Sequence, residues 1–146
     1  MKKQNHNISI VISEFNKKVT DALLDGAQRA FDDYSNGNLS VIKVPGAFEI
    51  PSTVKKVASK SSTDAIVTLG AVIKGETKHF DFISSECTRA IQQLTLEFDI
   101  PIIFGVLTTE NAKQALDRAT RKDKGYEVME SAFHMIKTFK KIEKSS

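Results

Sequence analysis

Two spacings of apolar residues alternate along the chain. Short apolar runs rich in isoleucine and valine predict strands, and apolar residues that recur every three or four positions predict amphipathic helices. The predicted strands cover residues 8–12, 39–44, 64–70 and 102–107. The predicted helices cover residues 19–34, 50–60, 80–98, 109–120 and 126–139. The order of elements is therefore β-α-β-α-β-α-β-α-α.

Turn and capping residues support these boundaries. Asn36-Gly37 breaks the chain after the first helix, and Pro45-Gly46 ends the second strand. Pro51 falls in the first turn of a helix, where its missing N–H costs nothing. Thr108 or Thr109 is the expected cap of the fourth helix.

The predicted strands are apolar on both faces, which is typical of a parallel sheet covered by helices on each side. Right-handed crossovers then predict an α/β fold, a three-layer α/β/α sandwich with a four-stranded parallel sheet in flavodoxin-like order. A length of 146 residues fits a single domain, residues 1–146.

Composition narrows the possible partners and compartments. The net charge is only +3, so it gives no reason to expect a nucleic-acid partner. No apolar run reaches the roughly 18–20 residues of a membrane span, and the polar start leads directly into a strand, so we expect neither membrane insertion nor a signal peptide. A single cysteine excludes an internal disulfide and favours a reducing, cytoplasmic location.

In a parallel sheet, the loops that follow the strands gather at one edge, where open α/β sheets bind ligands. The first such loop holds Phe15, either a hydrophobic staple for the next helix or a flat surface for an aromatic ligand. The second holds Glu49 at a helix start, either as a capping group or beside free N–H groups that suit a polyol or a pyrimidine edge.

The third loop is the most informative one. Residues 69–82 contain two glycines, lysines, a threonine and a histidine. Backbone N–H groups and a cation there suit an anion such as phosphate, and His79 can exchange a proton near neutral pH. Beyond the fourth strand, Arg118 is either solvated, paired with an acid, or a planar partner for phosphate.

Other chemistry finds little support. His6, His79 and His134 lack the spacing of metal ligands, so we expect no metal site. Cys87 lies on the apolar stripe of the third helix and is expected in the core. Neither a Walker A nor a G-x-G-x-x-G pattern is present.

Four segments together resemble a known family. They are Phe15-Asn16, residues 44–51 (VPGAFEIP), residues 69–82 (LGAVIKGETKHFDF) and residues 101–111 (PIIFGVLTTEN). Their sequences and order are similar to those of the 6,7-dimethyl-8-ribityllumazine synthases, over about residues 8–140. That family has the flavodoxin-like sandwich and catalyses the penultimate step of riboflavin synthesis. The resemblance implies a transferase that condenses 5-amino-6-(D-ribitylamino)uracil with 3,4-dihydroxy-2-butanone 4-phosphate, with no metal or organic cofactor.

The resemblance also implies a role for each site residue. Phe15 stacks on the pyrimidine, and His79 transfers protons. The ribityl chain is held by Asn16, Ala47, Phe48 and Glu49. The pyrimidine site is lined by Ala71, Val72 and Ile73. The phosphate is bound by Gly75, Glu76, Thr77 and Arg118. Phe104 and Arg118 come from the adjacent subunit.

The segment after Arg118 departs from the family pattern. Residues 119–125 (ATRKDKG) are shorter than the usual loop and lack its inner glycines, so Arg121 and Lys122 remain alternatives for a second phosphate cation. The same loop bears on assembly, and the resemblance implies a homopentamer that either stays single or joins a sixty-subunit shell. A flavin or lumazine carrier and a monomeric flavodoxin-like signalling domain are the competing readings.

Overall fold

The computed structural model describes residues 2–75 and 79–145. The strands are β1 (Ile8–Ser13), β2 (Leu39–Val44), β3 (Ala65–Ile73), β4 (Ile102–Ile103) and β5 (Val106–Thr109). The helices are α1 (Lys17–Tyr34), α2 (Ile50–Lys60), α3 (His79–Glu97), α4 (Ala112–Ala119) and α5 (Lys124–Lys144). A single 3₁₀ turn, Ala47–Glu49, precedes α2.

All pairings between these strands are parallel, and the strand order is β2-β1-β3-β4, with β5 also beside β3. β1 and β3 form the centre, with Ile8 opposite Ala65 and Ile12 opposite Leu69. This is the predicted flavodoxin-like order. In the described part of the chain both edges of the sheet are open: β2 forms one edge, and β4 and β5 form the other.

The sheet has five strands, whereas the sequence analysis predicted four. The predicted fourth strand is divided at Phe104–Gly105, although both halves keep the same register against β3. The hydroxyl of Thr68 enters the gap: it donates to the Ile103 carbonyl (2.9 Å) and accepts from the Gly105 N–H (3.2 Å). A side chain therefore replaces ladder hydrogen bonds at this point, which a pattern of apolar residues does not reveal.

Helices cover both faces of the sheet, as the apolar strands predict. α1, α4 and α5 pack on one face, over alternate side chains of β1 and β3 such as Ile10 and Val67. α2 and α3 pack on the other face, over Val11 and Ile66. The three-layer sandwich is confirmed. Its helices hold the sheet rigid from both sides, so that the loops at the strand ends start from fixed positions.

Two predicted boundaries were wrong. β3 continues to Ile73 rather than ending at 70, because its end pairs with β5 through Ala71 and Leu107. The cap of α4 is Asn111, whose side-chain oxygen accepts from the Gln114 N–H at 2.8 Å. The expected caps, Thr108 and Thr109, both belong to β5.

Cys87 is buried, as expected of a core residue, and its burial raises the pKa of the thiol to about 11. Its Sγ donates to the carbonyl oxygen of Ala47 at 3.5 Å, which ties α3 to the 3₁₀ turn. Within the described residues, no helix combines the length and the apolar content that crossing a membrane requires.

The burial of His6 predicts that the folded protein becomes less stable in acid. It is buried just before β1, and burial, followed by the charge of Lys140, lowers the pKa of its imidazole below the ordinary 6.5, while Asp64 opposes this effect. The unfolded chain then binds a proton more readily than the folded one, so this contribution to stability is complete above about pH 6.5 and declines as the pH falls below it.

We therefore expect His6→Gln to flatten the dependence of the unfolding midpoint on pH between about 6.5 and 5, measured by urea denaturation. His134→Gln removes an exposed imidazole from α5 and serves as the control. An unchanged slope in His6→Gln would show that His6 does not carry the effect.

Candidate active site

Hydrogen bonds join the loops that follow the first two strands. The Glu14 N–H donates to the Val44 carbonyl (2.8 Å), and the Phe15 N–H donates to the Pro45 carbonyl (3.1 Å). These bonds continue the pairing of β1 and β2 past the strand ends. The predicted gathering of the loops at the carboxyl edge is therefore built into the backbone.

Asn16 connects the same edge to β3. Its backbone is left-handed (φ 63°, ψ 51°), a conformation that asparagine tolerates better than most residues. Its Nδ2 donates to the Ala71 carbonyl at 2.8 Å, and its own carbonyl accepts from the N–H groups of Val19 and Thr20. Asn16 thus fixes the start of α1 against the end of β3, a role that its sequence position alone did not indicate.

Two aromatic side chains are exposed at this edge. Phe15 is 70% exposed and Phe48 is 63% exposed. Phe15 therefore does not act as a hydrophobic staple, because a staple would bury the ring against α1. Large exposed rings next to a helix start suit the face of a flat ligand.

Glu49 combines the two alternatives that the sequence left open. Its Oε1 accepts from the Gly46 N–H at 3.0 Å, which stabilises the turn before α2. Its carbonyl oxygen accepts from the hydroxyl of Thr53 at 2.8 Å. Because only one carboxylate oxygen is used in the turn, the half-buried Glu49 side chain keeps a second oxygen with which to accept from a ligand hydroxyl.

The end of β3 offers backbone rather than side chains. Ala71 and Val72 are buried, and Ile73 is half-buried, so that a ligand at this edge meets mainly their peptide groups. The following Lys74 donates its N–H to the Thr109 carbonyl (2.9 Å), and its ammonium lies 3.6 Å from a carboxylate oxygen of Glu110. β3 and β5 therefore reach the edge together.

The predicted phosphate loop is described only in part. Gly75 is exposed, and a Cβ built on it would meet no atom of the described residues within 4 Å. Glu76 and Thr77 lie outside the described residues. His79 is the first residue of α3 and is exposed at the helix entrance, where the helix N–H groups and the macrodipole favour an anion.

Arg118 differs from the other three arginines. Arg29, Arg89 and Arg121 each bind a carboxylate, at 2.6–2.8 Å. Arg118 is half-buried, and its Nη1 is buried with no hydrogen-bond partner among the described residues. A buried guanidinium nitrogen without an acceptor is costly, so the position favours an incoming anion over both ordinary roles of a surface arginine.

The structure also distinguishes Arg121 from Lys122, the two alternatives for a second phosphate cation. Arg121 donates two hydrogen bonds to Asp117, at 2.8 and 3.1 Å, and this bonding lowers the pKa of the Asp117 carboxyl. Lys122 is exposed, and no salt bridge of its ammonium is found in the described part of the chain. Lys122 is therefore the better placed of the two to meet an anion.

Phe104 and Arg118 do not lie at the carboxyl edge of their own subunit. In the common register Phe104 is level with Val11, two residues before the end of β1 at Ser13, or about 7 Å of strand. Arg118 follows Ala112, the start of α4, by six residues, or about 9 Å of helix. Phe104 is also 40% exposed, between β4 and β5 at the edge of the sheet.

A separate cavity of about 780 Å³ lies beside the amino-terminal end of β1, lined by Lys2, His6, Tyr34, Phe133 and lysines of α5. It is remote from the candidate site. Within residues 2–75 and 79–145, no group of three or more His, Cys, Asp or Glu side chains is placed to hold a metal ion.

One polar residue of the site was missed in the sequence. Ser13 ends β1 and is only 1% exposed, and its hydroxyl has no hydrogen-bond partner in the described structure. A Cβ built on Gly70 would lie 2.9 Å from this hydroxyl, which shows how closely the two strands pack there. An unsatisfied buried hydroxyl is unfavourable by about 1–3 kcal/mol.

We therefore expect Ser13→Ala to raise the free energy of unfolding by about 1 kcal/mol, measured by chemical denaturation. The matched control is Ser9→Ala on the same face of β1, because the Ser9 hydroxyl donates to Thr63 Oγ1 at 3.0 Å. That substitution should instead lower stability by a similar amount. A loss of stability in both variants would contradict the assignment of an unsatisfied hydroxyl.

A comparison with known protein families identifies the family of the chain. The family model described as 6,7-dimethyl-8-ribityllumazine synthase matches residues 5–140, which is most of the 146-residue chain. The matched region contains every candidate residue discussed above. The resemblance carried by the four sequence segments is thereby confirmed, and the chain belongs to the 6,7-dimethyl-8-ribityllumazine synthase family.

Proposed function

We propose that the chain, as a single domain, is an enzyme of riboflavin biosynthesis that condenses 5-amino-6-(D-ribitylamino)uracil with 3,4-dihydroxy-2-butanone 4-phosphate. The products are 6,7-dimethyl-8-ribityllumazine, phosphate and water. The enzyme acts in the cytoplasm as a homopentamer and uses no metal or organic cofactor. Pentamers joined into a sixty-subunit shell are the alternative assembly.

The uracil substrate fits the exposed part of the carboxyl edge. Phe15 stacks on the pyrimidine, whose polar edge meets the peptide groups of Ala71, Val72 and Ile73. The ribityl hydroxyls are bound by Asn16, by the turn of Ala47 and Phe48, and by the second carboxylate oxygen of Glu49. Such fixed, mostly backbone partners orient the nucleophilic amine without moving on binding.

The observation that carries the proposal is that Nη1 of Arg118 is buried and has no hydrogen-bond partner among the described residues. Its planar fork matches a phosphate group. Together with Gly75, Glu76 and Thr77 it holds the phosphate of the butanone substrate, and a pentamer neighbour supplies it. This arrangement gives the buried Nη1 of Arg118 an acceptor that the described residues do not supply.

The reaction needs proton transfers rather than a redox step. The 5-amino nitrogen attacks the ketone carbonyl, and water leaves to form an imine. Phosphate is then eliminated, and the ribitylamino nitrogen attacks the new carbonyl group to close the ring, with loss of a second water. His79 at the entrance of α3 accepts and returns protons in these steps.

A general base contributes about 10²–10⁴-fold to the rate, so His79→Ala should slow turnover without abolishing it.

The direct experiment mixes the protein with both substrates and follows the absorbance of the lumazine product. A rate well above the uncatalysed condensation supports the proposal. If the protein binds lumazine or flavin but the condensation is no faster than the uncatalysed reaction, the protein is a carrier. A monomer that neither binds nor reacts would identify a signalling domain.

A substitution of Arg118 tests its role in phosphate binding separately from any role in folding. Arg118→Gln removes a charge-assisted contact with phosphate, so the KM for the butanone phosphate should rise about 10- to 100-fold, with a much smaller change in the KM for the uracil. Thermal stability should not fall, because no described partner loses its hydrogen bond. Arg89→Gln, which breaks an exposed pair with Glu86, is the control. Equal increases in both KM values would remove Arg118 from the phosphate site.

A shared site also predicts recovery of activity between two impaired variants. His79→Ala and Arg118→Gln subunits are unfolded, mixed in equal amounts and reassembled. If His79 and Arg118 of one site come from neighbouring subunits, about a quarter of the mixed sites contain both wild-type residues. The rate at low butanone phosphate should then exceed that of either variant alone. No recovery in verified mixed oligomers would place both residues in one subunit.

A further inference from the structure

One side chain forms hydrogen bonds on both sides of the break in the edge strand at Phe104. Thr68, fully buried in the middle of β3, is opposite Phe104 in the common register of β4 and β5. Its hydroxyl donates to the carbonyl before Phe104, that of Ile103, and accepts from the N–H after it, that of Gly105. A single hydroxyl therefore binds both peptide groups that flank Phe104.

Gly105 makes this arrangement possible. A Cβ at position 105 would lie 2.4 Å from the backbone oxygen of Thr68 and 2.9 Å from the Val128 side chain, so no larger residue fits without displacement. The Gly105 carbonyl also accepts from the Gly70 N–H at 3.3 Å. The chain is thus held tightly on one side of Phe104, while the Phe104 ring itself is exposed on the open edge of the sheet.

Thr68 is unusual for its place. Its neighbours Ile66, Val67 and Leu69 are buried apolar residues of a central strand. A valine of the same shape would suit such a position better unless the hydroxyl has partners, because burying a hydroxyl is unfavourable. Both hydrogen bonds of the Thr68 hydroxyl are made with the segment around Phe104. This indicates that the hydroxyl holds that segment in place.

We propose that Thr68 is a positioning residue that sets the direction of Phe104 so that its ring reaches the uracil-binding site of the neighbouring subunit. This inference rests on the proposed function, in which Phe104 completes that site. Thr68 itself never touches substrate. Without its hydroxyl, the segment would regain ordinary pairing with β3 or move away from it, and either change would redirect the ring.

The test measures KM and kcat for the assembled protein with both substrates. Thr68→Val removes the hydroxyl and keeps the shape, so the KM for the uracil should rise about three- to tenfold with a smaller change in kcat. Thr68→Ser keeps the hydroxyl and should restore the wild-type KM. A purely structural role would alter stability in both variants and would not select one substrate.

A double variant shows whether Thr68 acts through Phe104. If it does, Thr68→Val/Phe104→Ala should have the same uracil KM as Phe104→Ala alone, because the ring that Thr68 positions is already absent. If the two substitutions raise the uracil KM by factors that multiply in the double variant, the inference is overturned. A wild-type KM in Thr68→Val when Phe104→Ala is impaired would also overturn it.

Three further outcomes are distinguishable. Should Thr68→Val not assemble, Thr68→Cys keeps a donor but weakens both bonds, and its uracil KM should lie above that of Thr68→Ser; a wild-type value would overturn the inference. An unimpaired Phe104→Ala contradicts the role of Phe104 in the proposed function and removes this inference with it. If the protein without substitutions forms no lumazine above the uncatalysed rate, the proposed function is rejected directly.

Discussion

Parallel pairing of β1 and β3 is the constraint on which the rest of the molecule depends. Because the two central strands run in the same direction, the residues that follow them must leave the sheet at the same edge. Hydrogen bonds then extend the pairing beyond the strands: Phe15 binds Pro45, and Asn16 binds Ala71. The candidate site is therefore an extension of the sheet rather than a set of independent loops.

The same constraint bears on two residues of the candidate site. Phe104 and Arg118 lie behind the carboxyl edge, the first on an open strand and the second on the helix that runs back from β5. An exposed ring and a buried guanidinium nitrogen without an acceptor among the described residues are unfavourable. In the proposed function, a second copy of the chain covers this edge and the two substrates contact both groups.

Local interactions account for what the sequence could and could not indicate about individual site residues. Exposed Phe15 and Glu49 at a helix start could be identified because motif and helix position are local properties. The unpaired state of Arg118 could not, since it depends on which carboxylates the fold brings near each arginine. The orphan hydroxyl of Ser13 and the clamp formed by Thr68 were missed for the same reason: each is defined by atoms from a distant segment.

The sequence by itself determined the fold class, the order of strands and helices, and the family, because apolar spacing and motif spacing are written along the chain. It also determined that Cys87 belongs to the core. Only the tertiary structure decided that β3 extends to Ile73 and that the last strand divides at Phe104–Gly105. Those features depend on hydrogen bonds between segments more than 30 residues apart, where no local pattern records the partner.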